Sequence, residues 1–503
     1  MTAPNGTPLR ATRREWIGLA VIALPCTLYT MDLTVLFLAV PELTRDLQPT
    51  STQLLWITDI YGFLLAGALI TMGTLGDRIG RRKLLLIGSA AFGAASVFAA
   101  FSTSAEMLIA ARALLGIAGA TLAPSTLSLI RNMFHDDEQR QFAIGIWVTS
   151  FSVGAAIGPV VGGVLLEWFW WGSVFLLAVP VMALLLAVGP RLLPEYRDPD
   201  PGRFDIPSAL MSLVTVLAVI FGVKRIAEDG IDPTAAAAIV AGIALGVVFL
   251  RRQRTLADPF VDLRLFRVPA FSAALAANTL AIFLVGGALL FIAQYMQLVT
   301  GLSPLEAGLW MLPSAVVFVA GSMAAPLLVR YVKPARVVAA GLALAAIGFG
   351  MLTQIDVDSG VGPVVIAGVI MDFGLAFVVT LSTDLIVGSV PPERAGTASA
   401  LSETGAELGG ALGIAILGSI GAAIYRGQMA DMLPGNDSRA AEAARDNLGG
   451  AVAASDSLPA QLLDAATEAF TQGLQVAALT SAIAAAALAV VAWLVLPRVR
   501  AAA

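Results

Sequence analysis

Seven charged side chains sit well inside long apolar runs of this sequence, away from their ends: Asp32, Asp59, Arg112, Asp372, Asp384, Glu403 and Glu407. A charge placed in such a run is costly, so by default it marks an ion path, a substrate path or a charged partner. Glu403 and Glu407 are four residues apart and share a helix face. Two carboxylates one turn apart oppose double ionisation, which leaves a proton that can be lost and regained. Asp32 lies ~24 Å from the start of its run at ~1.5 Å per residue, and Asp59 and Arg112 each lie about 9 Å from the outer end of theirs. The three therefore share a depth, and Arg112 can pair with either acid. Asp372 falls near mid-depth, while Asp384 falls nearer the end of its run, where a structural role fits. Tyr29 precedes Asp32 by three residues and Trp56 precedes Asp59 by three. Each pair offers a ring face and a carboxylate on one side, the two groups that hold a lipophilic cation. Tyr61, Phe283, Phe291, Tyr295 and Phe377 are further aromatic candidates. Trp168, Trp170 and Trp171 read instead as an interfacial belt.

Other chemistry is excluded by composition. Cys26 is the only cysteine and His135 the only histidine, which rules out an internal disulfide, a cysteine-ligated metal and histidine relays. No G-x-x-x-x-G-K-[ST] loop is present, so the chain carries no built-in ATPase of that type. A transporter rather than an enzyme is expected, with neither cofactor nor metal and no nucleic-acid partner.

The elements that must position these residues are membrane helices. Of 503 residues, 58% are hydrophobic and only 13% charged, about half the usual share of charge. A helix crossing the hydrocarbon core needs about 20 mainly apolar residues. Such runs occur at 16–41, 53–75, 84–102, 106–130, 141–167 and 171–190, then at 207–223 and 234–250. Six more occur at 269–299, 304–329, 336–354, 361–390, 396–424 and 470–496. The fold expected is an all-α integral membrane protein with fourteen transmembrane helices. Pro25, Pro124, Pro159 and Pro313 fall within runs, where membrane helices tolerate them as kinks.

Basic residues orient the chain. With the N-terminus in the cytoplasm, only Arg45, Lys224, Arg225, Arg426, Arg439 and Arg445 of the 30 Lys and Arg fall outside, and Arg112 lies within the membrane. The positive-inside rule then places both termini in the cytoplasm. Lys224 and Arg225 strain it, and are expected to snorkel from a helix end. The layout is a six-helix bundle over 1–190, a linker (191–206) with two inserted helices over 191–267, and a second six-helix bundle over 268–503. The second bundle contains a long external loop at 425–468, in which 438–448 and 459–472 suit short surface helices.

Three motifs add to this. Gly73-Thr74-Leu75-Gly76-Asp77-Arg78-Ile79-Gly80-Arg81-Arg82 follows the second run and suits a tight basic turn in which Asp77 pairs with a guanidinium or caps the next helix. Gly154, Gly158, Pro159, Gly162 and Gly163 in the fifth run give a smooth face for close helix packing. Met31-Asp32-Leu33-Thr34-Val35 with Ala39-Val40-Pro41 marks the first run. The first motif resembles the G-x-L-a-D-r-x-G-r-k signature of the major facilitator superfamily. The second is similar to the antiporter motif of its drug exporters. The third, with Trp56-Ile57-Thr58-Asp59-Ile60-Tyr61, resembles the fourteen-helix drug:proton antiporters of the QacA and LfrA type, although Phe37-Leu38 replaces a usual small polar residue. Ser402 to Gly410 looks like the corresponding helix of those pumps.

The resemblance implies two six-helix bundles of the major facilitator fold plus two inserted helices, working by alternating access as a monomer in a bacterial cytoplasmic membrane. It implies proton-coupled export of lipophilic cations such as quaternary ammonium compounds and ethidium, with the proton gradient as the energy source. Asp32, Asp59, Asp372, Glu403 and Glu407 would bind proton or cation, Arg112 would be their charge partner, and Tyr29, Trp56, Tyr61 and Phe377 would meet the substrate. Rival readings are a dedicated exporter of an endogenous antibiotic or lipid, and a proton symporter for uptake, which the fifth-helix motif disfavours.

Overall fold

Helix starts are written locally in polar side chains. Thr12 and Glu15 close a capping box on the first helix, Thr50 and Gln53 on the second, and Ser303 and Glu306 on the tenth. Asp136 accepts from the Gln139 amide at 3.0 Å and Asp232 from that of Ala235 at 2.6 Å. Pro233, Pro269, Pro304 and Pro334 stand in first turns, where a missing N–H leaves no bond unmade.

The computed structural model describes residues 10–197, 205–229, 232–256, 259, 261–390, 395–432 and 439–495. Part of the linker and the basic residues Arg203, Arg394, Arg498 and Arg500 lie outside the described residues. Among the described residues, fourteen helices are long and apolar enough to cross a membrane. They are α1 (Arg13–Leu47), α2 (Ser51–Ile79), α3 (Arg81–Ala100), α4 (Ala105–Met133), α5 (Asp137–Trp168), α6 (Ser173–Leu192), α7 (Ile206–Asp229) and α8 (Pro233–Gln253). The others are α9 (Pro269–Val299), α10 (Pro304–Leu328), α11 (Pro334–Leu352), α12 (Val361–Gly388), α13 (Ala395–Met432) and α14 (Ala460–Val495). No strand occurs among the described residues.

The packing repeats. In the first six helices α1 packs on α5, α2 and α3 on α4, and α3 on α6; in the last six, α9 packs on α13, α10 and α11 on α12, and α11 on α14. The two sets meet along two matching seams, α5 with α10 and α2 with α13. This is the pattern of two related halves about an axis along the membrane normal. Helix α7 lies across the α2–α13 seam, and α8 packs on α7.

Several boundaries differ from expectation. Helix α14 begins at Ala460, so 459–472 is the start of a membrane helix rather than a surface helix. Helix α13 extends to Met432. Between them, short helices at Arg439–Asp446 and Leu448–Ala453 reach across to the first bundle. There the Asn447 amide donates to the Pro49 carbonyl at 3.1 Å, and the Ser51 hydroxyl to that of Asp446. Trp168 and Trp170 are exposed as a belt requires, but Trp171 is buried and donates to Asp46 at 2.8 Å.

Candidate functional site

At the glycine motif of α5 three helices converge. A Cβ on Gly154 would run into the Thr27 carbonyl and the Thr30 hydroxyl, and one on Gly158 into the Thr34 hydroxyl. Gly162 lies on Val35, so all three glycines press α5 onto α1. Gly163 and Pro159 face the other way, against Leu305 and Gly308 of α10. Helix α5 thus ties the first bundle internally and forms one of the two seams.

A cavity of about 190 Å³ opens beside that seam, lined from α1, α5, α9, α10 and α12. Its wall is apolar and partly aromatic, with Phe37, Met296, Trp310, Met311 and Phe318. Among the described residues Asp372 is the one charged group in the lining, and Ser314 lies within hydrogen-bonding reach of it. An apolar, ring-bearing chamber with one carboxylate suits a lipophilic cation, since it supplies dispersion, ring faces and one counter-charge.

The other membrane-depth charges form separate clusters. Arg112 is fully buried and paired with Asp32, joining α4 to α1. Its Nε donates to the Ile57 carbonyl at 3.2 Å, and its guanidinium lies 4.6 Å from the Tyr61 ring centroid. Sequence spacing left Arg112 free to pair with either acid; the structure gives it to Asp32. The Glu407 carboxylate accepts the Tyr29 hydroxyl at 2.7 Å, linking α13 to α1 across the two bundles. Glu403 is exposed one turn away, and Asp384 is exposed near the end of α12.

Asp59 has a partner that sequence reasoning placed elsewhere. Lys224 does not snorkel outward: its Nζ lies 2.8 and 2.9 Å from the two Asp59 carboxylate oxygens, with both side chains buried. The same ammonium lies 3.9 Å from the Trp56 ring centroid. Lys224 therefore joins Arg112 as a basic group at membrane depth, and Trp56 and Asp59 together hold a protein cation.

The expected substrate aromatics are likewise engaged elsewhere. Phe377 is buried against Phe373 and Gly341, and Tyr295 donates to the Asp356 carbonyl at 2.6 Å. Neither Tyr29, Trp56, Tyr61 nor Phe377 lines the large cavity; Phe37, Trp310 and Phe318 do. The sequence signal for the last two is the 310, 314, 318 spacing with Ser314, one face of α10.

In the tight turn, Asp77 pairs with Arg81 at 2.5 Å and does not cap α3. Gly80 has φ +108°, a conformation that favours glycine, and a Cβ there would strike Glu195. Arg81 also reaches the Pro124 carbonyl at 3.4 Å, beside which Gly73 packs. Gly76 lies against the Arg81 side chain. Arg82 lies 3.4 Å from Glu195. Arg78 stands in the last turn of α2, beside Asp77 in sequence.

The Major Facilitator Superfamily pattern matches residues 23–414. The chain belongs to the major facilitator superfamily. It is 46% identical to the multidrug efflux pump LfrA of Mycolicibacterium smegmatis, over 96% of this chain and 97% of that protein. It is 36% identical to the methyl viologen resistance protein SmvA of Salmonella typhimurium, over 91% and 93%. Among solved structures, a bacterial homologue of the human lysosomal transporter Spinster, in an inward-facing conformation, superposes with a TM-score of 0.70. That match covers 97% of this chain and 99% of the other at 19% identity, and speaks to the fold. The chain is thus a multi-pass membrane protein of a transporter family, not an enzyme.

Proposed function

We propose that this chain is a proton-coupled antiporter that exports lipophilic organic cations, including quaternary ammonium compounds and dyes such as ethidium, across a bacterial cytoplasmic membrane. The observation that carries the reading is the cavity between the bundles, whose lining holds several rings and a single charge, Asp372. Its similarity to LfrA, a multidrug efflux pump, and to SmvA, a methyl viologen resistance protein, supports an export role. The basic bias of the loops supports placing both chain ends in the cytoplasm.

In this reading the deprotonated Asp372 draws a cation into the cavity from the cytoplasm. The bundles then rock about the α5–α10 and α2–α13 seams. Protons arriving from outside neutralise the acids, and the cation loses its counter-charge and leaves. Glu407, hydrogen-bonded to Tyr29 across the bundles, is placed to report its protonation to the seam; Glu403 is the exposed acid through which protons exchange. Asp32 and Arg112 hold α1 on α4 and shape the first bundle. Each proton that enters in excess of the cation charge leaving gains ~2.3 kcal/mol per 100 mV of membrane potential, which drives the cycle without ATP. The test is ethidium efflux from energised cells. Cells making the protein lose dye faster than control cells, and a protonophore removes the difference. Efflux that continues unchanged with the protonophore would refute proton coupling.

A further inference from the structure

The inserted pair α7–α8 lies across a seam that must open and close if the bundles rock, so it has to travel with one bundle or the other. Two kinds of contact hold α7. Towards α2 it makes the buried Asp59–Lys224 ion pair, at 2.8 and 2.9 Å, backed by the Trp56 ring 3.9 Å from the ammonium. It also packs closely there, with Gly67 of α2 against Leu213 of α7. Towards α13 the described contact is apolar: Val216, Leu217 and Ile220 meet Leu408, Ala411, Leu412 and Ala415. An apolar face can slide and repack, because dispersion and burial are non-directional. A buried ion pair cannot part without leaving a bare charge in a low-dielectric interior.

We infer that Lys224 is a positioning residue that fixes the inserted helices to the first bundle through Asp59 and Trp56, so that α7 and α8 move with α2 while α13 slides past them. Asp59 is accordingly a permanent counter-ion and takes no part in proton exchange. The inference rests on the alternating-access reading above, and explains why a lysine is buried in a helix otherwise devoted to lipid and seam contacts.

The test uses the full-length protein with its one cysteine replaced (Cys26→Ser). Nitroxide labels go on exposed positions of the first bundle (Ile87→Cys), of α7 (Leu210→Cys) and of the second bundle (Met323→Cys), taken in pairs. Distances are measured at acid and alkaline pH, with and without ethidium, in a condition where the 87–323 distance changes. The inference expects the 210–323 distance to change with it and the 210–87 distance to stay constant. With Lys224→Met added, the 210–87 distance becomes variable as well. A 210–87 distance that follows the bundle motion in the unsubstituted background would overturn it. So would a constant 210–87 distance in Lys224→Met, since the lysine would then not be the tether.

A second measurement reads turnover. The Gly67→Cys and Leu213→Cys pair brings Cβ positions 3.7 Å apart, within disulfide range. The oxidised and reduced forms should export ethidium at rates within twofold of each other. Efflux that stops on oxidation and returns on reduction would show that α7 must leave α2. A protein that exports no ethidium in any form refutes the proposed function, and the distance measurement then decides the tether alone.

Discussion

Replacing Asp372 by Asn removes one charge from the cavity and leaves its shape and its polar contact with Ser314 in place. A cation seated at about 4 Å from the carboxylate gains about 4 kcal/mol at the effective dielectric of ~20 that suits protein sites. Stripping water from both charges returns roughly half of that, leaving a net of about 2 kcal/mol, or about thirtyfold in affinity. The rings of Phe37, Trp310 and Phe318 and the thioethers of Met296 and Met311 remain, so binding weakens without vanishing. The assay is ethidium fluorescence titrated against purified protein in lipid nanodiscs at alkaline pH, with an uncharged hydrophobic dye as control. The substitution should weaken ethidium about thirtyfold and the neutral dye less than threefold. Equal effects on both dyes, or an ethidium affinity within threefold of the unsubstituted protein, would refute the assignment of Asp372 as counter-charge.

Further outcomes follow from the other clusters. Glu407→Gln keeps an acceptor for the Tyr29 hydroxyl but cannot release a proton, so ethidium binding should stay within threefold while gradient-driven efflux falls at least tenfold; undiminished efflux would remove α13 from coupling. Asp32→Asn leaves the Arg112 guanidinium buried without its counter-charge, a loss of about 3–5 kcal/mol, to be read as a lower unfolding temperature in detergent; an unchanged temperature would contradict the pairing. Gly158→Leu forces a side chain into Thr34 and Met31 of α1. Overpacking of this kind costs about 1–3 kcal/mol, and the yield of folded protein should drop, whereas the same change at Gly145, which has open space around it, should not lower it.

What could be read from the sequence divides by physical cause. Each crossing helix must satisfy its own backbone and face lipid, so the fourteen spans stand out in hydropathy. The glycine face of α5 was legible because close helix approach demands small residues at fixed spacing. Depth alone brought Arg112 near Asp32 and Asp59, but depth does not choose between partners. The choice fell to Lys224, which lies at the last turns of α7. Its distance in sequence from Asp59 and its place at a helix end made it look like a snorkelling surface charge. The start of α14 was missed because Asp464 and Glu468 interrupt the apolar run, although the helix continues beyond the hydrocarbon. The cavity lining was legible least of all. Phe37, Trp310 and Phe318 come from two helices of different bundles, and an aromatic residue facing a chamber carries the same sequence signature as one facing lipid. Of the acids read as candidates, only Asp372 lines that chamber.

In the mechanism proposed above, the coupling of cation export to proton uptake joins the two as halves of one cycle. It is tested most directly by purified protein in vesicles loaded with a pH-sensitive dye and given ethidium on one side, with no other ion gradient. Ethidium moving down its gradient should drive protons the opposite way, and a protonophore should collapse the resulting pH change. Ethidium movement with no opposing proton flux would contradict it.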